Sequence, residues 1–98
     1  MIKETGLKET LIKEICNVAH NCGVKKVILF GSRARGDYKR ASDIDLAVSG
    51  GDILRFALDV EEETLTPLKY DVINLDGKIQ EELRRVIQEE GRVLYEEI

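Results

Sequence analysis

Gly31-Ser32 and, after a ten-residue gap, Asp43-Ile44-Asp45 are the residues whose types and spacing could do chemistry together; they lie in the run LFGSRARGDYKRASDIDLAVSG. Two carboxylates spaced by two on a strand project from one face, because successive strand side chains alternate. Such a pair of hard oxygen donors on a rigid element suits Mg²⁺, which keeps coordination positions for phosphate oxygens. Gly31 lets the main chain pass close to a phosphate, and Ser32 offers a hydroxyl and an amide at the start of a helix, where N–H groups attract anions. Asp71 is a third acid in a strand-like run, KYDVINL, although alone it could simply face water. Asp has poor strand propensity and is costly to bury without a partner, so three such acids on strands point to a metal site. Asp43, Asp45 and Asp71 are therefore the candidate metal ligands and catalytic residues, for a substrate that is a nucleoside triphosphate. Arg33 and Arg35, beside the Gly-Ser pair, are candidates for contact with the triphosphate or the departing pyrophosphate.

The elements that must position these residues follow from periodicity. Leu7, Leu11, Ile12, Ile15, Ala19 and Cys22 recur at helical spacing and predict a first helix ending at Gly23. Residues 24–30 read as a buried strand, and Gly31-Ser32 then opens a short helix that runs to Arg35 and stops at Gly36. Residues 37–42 are polar and form a loop. Residues 43–48 read as a strand whose Ile44, Leu46 and Val48 face the core. Asp52 is the expected N-cap of a helix bearing Ile53, Phe56, Ala57 and Val60. In the strand at residues 69–75, Asp71 and Ile73 share one face and Tyr70 and Val72 the other. A last helix carries Ile79, Leu83, Val86 and Ile87 and closes at Gly91, and Val93-Leu94-Tyr95 adds a short strand. The expected fold is α/β (α+β): a small mixed sheet with helices packed chiefly on one face and the carboxylates on the open side, a single domain over residues 1–98.

Composition narrows the function classes. Apolar residues make up 43 % and charged residues 35 % of 98 positions, and the net charge is −4, which argues against stable nucleic-acid binding through the whole surface. Positive charge is nevertheless gathered near the phosphate site: residues 25–40 hold six basic side chains and one acid, Asp37. Cys16 and Cys22, with His20 between them, match no zinc or redox spacing and read as reduced, packed thiols, with His20 at a helix end. No apolar stretch reaches the roughly 20 residues of a membrane span, and the first ten residues lack the apolar core of a secretory signal, so a cytoplasmic protein is expected.

The pattern G-S-x10-D-x-D with a later strand Asp resembles the DNA polymerase β-like nucleotidyltransferase superfamily. The wording GSRARGDYKRASDIDLAVSG is similar to that of its smallest branch, the minimal nucleotidyltransferases (MNT), which often form the antitoxin half of an operon with a HEPN-domain ribonuclease toxin. The resemblance implies the polymerase β-like fold, a triphosphate gripped by Gly31 and Ser32, and two Mg²⁺ ions held by Asp43, Asp45 and Asp71. It also implies transfer of AMP from ATP to an acceptor hydroxyl, which in MNT antitoxins is a toxin tyrosine. Tyr70 is bulkier than the aliphatic residue expected before the third acid, with a possible effect on the adjoining pocket. Two other readings stay open: a non-catalytic antitoxin that neutralises its toxin by binding, and a transferase acting on a small molecule. Larger relatives carry a further helical domain that is not expected here, so a partner surface, in a homo- or hetero-oligomer, is expected to complete the pocket.

Overall fold

The computed structural model describes residues 5–97, in the order α1 Glu9–Asn21, β1 Lys26–Phe30, α2 Ser32–Arg35, β2 Ile44–Ser49, α3 Ile53–Glu63, β3 Tyr70–Asn74, α4 Glu81–Glu90 and β4 Arg92–Glu96. Residues 1–4, part of the N-terminal reading above, lie outside the described residues. The four strands form one mixed sheet in the order β3-β2-β1-β4. β1 is antiparallel to both β2 and β4, whereas β2 and β3 are parallel. A parallel pair needs a crossover, and α3 supplies it.

Alternation along β2 decides what each face does. Ile44, Leu46 and Val48 are fully buried in the main core, against Ile15 of α1 and Phe56 and Val60 of α3. Fully burying a side chain such as Phe56 contributes about 1.5–3 kcal/mol. α3 starts where Asp52 predicts, its Oδ1 accepting the Arg55 amide at 3.1 Å. Asp52→Ala is expected to cost about 1 kcal/mol, the usual worth of an N-cap, and urea unfolding of the variant would measure it.

The other face is not wholly open. Phe30, Ala47 and Ile87 form a second, smaller cluster there, joined by Ile28, Ile73 and Leu83, so α4 covers part of the face that also carries Asp45 and Asp71. Helices still pack chiefly on one side, with α1 and α3 over the main core. Gly91 ends α4 as expected, its amide donating to Ile87 O at 2.8 Å, but its backbone is extended (φ −64°, ψ 146°) rather than left-handed. The need for glycine there is proximity: a Cβ would run into Ile87 O and the Ile28 side chain, where α4 lies against β1. β1 and β2 each differ slightly from the expected bounds, β1 beginning at Lys26 and β2 at Ile44, so Asp43 stands just before the strand and not on it.

Both thiols are free. Cys16 Sγ donates to Leu94 O at 3.3 Å, and Cys22 Sγ lies 3.7 Å from Asp59 Oδ2. Burial pushes both thiols above their ordinary range, and Asp59 adds to the effect at Cys22. Neither is poised to react. His20, in the last turn of α1, sits 3.4 Å from the Tyr95 hydroxyl. Among the described residues no helix is long and apolar enough to cross a membrane.

Candidate active site

The site forms at one end of the sheet, where β1 finishes and β2 and β3 begin. Phe30, the last residue of β1, is paired with Asp45, and Asp45 is in turn directly in register with Asp71 of the parallel strand β3. Cross-strand neighbours on one face have closely spaced Cβ atoms. The parallel register thus puts a residue 26 positions away in sequence beside Asp45, with Asp43 two residues before it.

Electrostatics report the same proximity. Asp45 is half-buried, and its carboxyl is held above its ordinary value, first by desolvation, then by the charge of Asp71 and that of Asp43; Arg35 opposes the shift. Asp43 and Asp71 are exposed. Among the described residues no ion pair engages Asp43, Asp45 or Asp71.

Gly31 is where the turn after β1 meets the carboxylates, at Asp45. It turns the chain from β1 into α2 with φ 76° and ψ −158°, a region open essentially only to glycine. A Cβ there would collide with Asp45 Oδ2 and lie 3.1 Å from its Cγ. The main chain at Gly31 therefore passes directly against the Asp45 carboxylate. Ser32 opens α2, and its carbonyl accepts the amides of Gly36 and Asp37 at 2.9 and 3.1 Å.

The two arginines part company. Arg35 is exposed, bonded to Asp37 Oδ2 at 3.2 Å and to Glu90 Oε2 of α4 at 3.0 Å, and its charge is felt at Asp45. It stays at the rim of the site. Arg33 is only 2 % exposed, and its Nε, Nη1 and Nη2 donate to Ser42 O, Thr5 O and Arg40 O at 3.1, 2.9 and 3.3 Å. With all three nitrogens committed to main-chain carbonyls, Arg33 does not fit the expected role of phosphate ligand. Tyr70 also departs from expectation. It faces the main core and shares a 2.7 Å hydrogen bond with Thr64 Oγ1, on the opposite side of the sheet from Asp71, so its bulk does not reach the pocket beside the carboxylates.

Two residues of the site went unread in the sequence. Glu90 and Tyr38 hold the arginines, Glu90 through its bond to Arg35 and Tyr38 through its ring, 4.8 Å from the Arg33 guanidinium carbon. An acid ending a Glu-rich helix resembles any solvated charge, and only the packing of α4 beside α2 gives Glu90 its meaning.

The donor set fits a hard divalent cation: three carboxylates, none paired to a cation of the chain among the described residues, with Asp45 under a repulsion that a cation would relieve. Among the described residues no three acids, histidines or cysteines stand as a ready-made cage. A cation held here would complete its shell with substrate phosphates and water, as Mg²⁺ commonly does.

A glycine turn set against a strand carboxylate, with a second strand acid in register, is an arrangement that can serve nucleotidyl transfer. The model for the family Polymerase beta, Nucleotidyltransferase matches residues 11–97, and the chain belongs to that family of enzymes. It is similar to two Methanocaldococcus jannaschii proteins, each named "Putative protein adenylyltransferase". It is 38 % identical to MJ0604 over 100 aligned positions, covering 90 % of this chain and 98 % of that one, and 38 % identical to MJ1215 over 72, covering 68 % and 83 %. Its fold is shared with a toxin-antitoxin crystal structure containing AMP-PNP, at TM-score 0.68 and 22 % identity, with 88 % of this chain and 73 % of that chain covered. A Y104A mutant of the toxin-antitoxin MntA-HpeT superposes with TM-score 0.67 at 21 % identity, over 93 % of this chain and 74 % of that chain.

Proposed function

We propose that this protein is a Mg²⁺-dependent adenylyltransferase that moves AMP from ATP to a hydroxyl of a partner protein, a tyrosine of a HEPN ribonuclease toxin, and thereby serves as its antitoxin. The observation that carries this reading is the Asp45–Asp71 register beside the Gly31 turn, which joins a phosphate cradle to a cluster of unpaired acids. Kinship with proteins named as protein adenylyltransferases supports the choice of nucleotide and acceptor class.

In this mechanism Gly31 and Ser32 receive the triphosphate through main-chain and hydroxyl donors. Asp43 and Asp45 would hold the metal, with Asp71 completing the set of carboxylates. Bound Mg²⁺ would supply charge neutralisation at the phosphates and acidify the acceptor hydroxyl. Asp71, exposed as Asp43 is but carried on the neighbouring strand β3, would take the proton of that hydroxyl. The acceptor oxygen forms a bond to the α-phosphorus, the bond from that phosphorus to the bridging oxygen of the β-phosphate breaks, and pyrophosphate leaves. Arg35, swung from Asp37 or Glu90, would meet the charge that grows on pyrophosphate.

The test is incubation of the protein with α-labelled ATP, Mg²⁺ and the product of the neighbouring gene. Label should move to that product with the native protein and fail to move with an Asp43→Ala/Asp45→Ala variant. Equal labelling by both proteins would defeat the proposal.

A further inference from the structure

Arg33 is a buried cation without a carboxylate partner among the described ion pairs, and it binds three carbonyls from two separate pieces of backbone. Burying an unpaired charge is expensive unless its donors are satisfied. Here the guanidinium fork meets three carbonyls, and its face lies over Tyr38. Hydrogen bonds to a charged group are among the stronger ones. What those bonds hold is specific. Ser42 O belongs to the peptide group that leads into Asp43, Arg40 O belongs to the same loop, and Thr5 O ties that loop to the segment before α1. The loop is braced again by Ser42 Oγ, which accepts the Lys39 amide at 2.7 Å, while Lys69 O accepts the Ile44 amide at 2.8 Å. Arg33 itself follows Ser32 directly, so one side chain ties the phosphate cradle to the carboxylate ten residues further along.

We infer that Arg33 is a positioning residue: by gripping the Ser42 carbonyl it fixes where Asp43 stands relative to Gly31-Ser32, and it acts on divalent-cation binding without touching the nucleotide. The inference rests on the nucleotidyltransferase reading of the three acids. Lysine keeps the charge but lacks the planar fork, so it cannot hold three diverging carbonyls at once.

The experiment compares native protein with Arg33→Lys in two binding assays. One titrates Mn²⁺ in the presence of a non-hydrolysable ATP analogue; the other titrates a fluorescent ATP analogue in chelator. The variant is expected to need about tenfold or more Mn²⁺, the scale on which groups supporting metal ligands act, while metal-free nucleotide binding changes less than about twofold. Unchanged Mn²⁺ affinity, or a loss of metal-free nucleotide binding, would overturn the inference. Should the variant fail to fold, the native protein still answers: the Arg33 Nε–H should exchange with solvent far more slowly than that of exposed Arg55 and keep its NMR shift when the nucleotide is added. Fast exchange, or a large shift, would overturn it as well. Native protein that takes up no Mn²⁺ would instead sink the metal reading of the acids, a failure distinct from that of Arg33.

Discussion

Asp45→Asn is expected to make the metal-free protein more heat-stable while removing its transfer activity. The Asp45 carboxyl sits above its ordinary value because burial, Asp71 and Asp43 all disfavour its charge. Between the ordinary and the raised value, the folded state therefore binds more protons than the unfolded one. Stability falls as pH rises through that window and stays lower above it. At neutral pH the ionised Asp45 is a standing cost to the fold, and the neutral amide removes it. In chelator at pH 7 the variant should melt a few degrees higher than the native protein, and the gap should close as pH falls below the ordinary carboxylate range. Transfer should drop at least ~10²-fold, the scale for loss of one preorganised electrostatic contact at a reacting phosphate. Mg²⁺ with ATP should raise the melting temperature of the native protein and not that of the variant, since only a binder of the native state stabilises it. A variant that melts lower in chelator at pH 7 would contradict the electrostatic account of this site.

Gly31→Ala is expected to impair folding and nucleotide binding together. At φ 76° and ψ −158° a side chain costs about 1–3 kcal/mol in backbone strain alone. The added methyl would also meet the Asp45 carboxylate head-on. In a domain of this size each kilocalorie lowers the melting temperature by roughly 4–8 °C. The turn can relax only by moving Ser32 or Asp45, so affinity for ATP should fall about tenfold or more. Calorimetric titration with ATP and a thermal melt of the same sample measure both effects. A variant that melts and binds ATP like the native protein would show that the close approach at Gly31 is dispensable.

Much of the site was legible in the residues because its signals are local. A glycine and serine straight after an apolar strand, and an acid, Asp45, alternating with apolar residues in another, declare their geometry locally, although Asp43 falls just before that strand rather than on it. Asp52 announced the start of α3 by the same local logic, since a cap acts on the amide three residues on. Arg33 and Arg35 show where local reading runs out. They are two apart on one helical turn, where side chains diverge by roughly 200°. One therefore turns under the loop to Ser42 and Thr5, and the other out toward Glu90. Nothing in their identical chemistry could say which was which. Gly91 carries the same lesson: its position as a helix end was readable, but the reason for glycine lies in Ile28, a strand neighbour 63 residues earlier.

Side-chain type and short-range spacing were enough to say that this chain makes strands carrying acids, a glycine-serine turn between them, and helices to cover the sheet. Periodicity of that kind needs only a residue and its near neighbours. Tertiary structure alone decided that β3 lies parallel to β2 with Asp71 opposite Asp45, that α4 folds over the second face to bring Glu90 to Arg35, and that a buried guanidinium gathers three carbonyls. Register and long-range contacts depend on how whole elements pack, and the energy that selects them is shared across the two hydrophobic clusters rather than written at any single position.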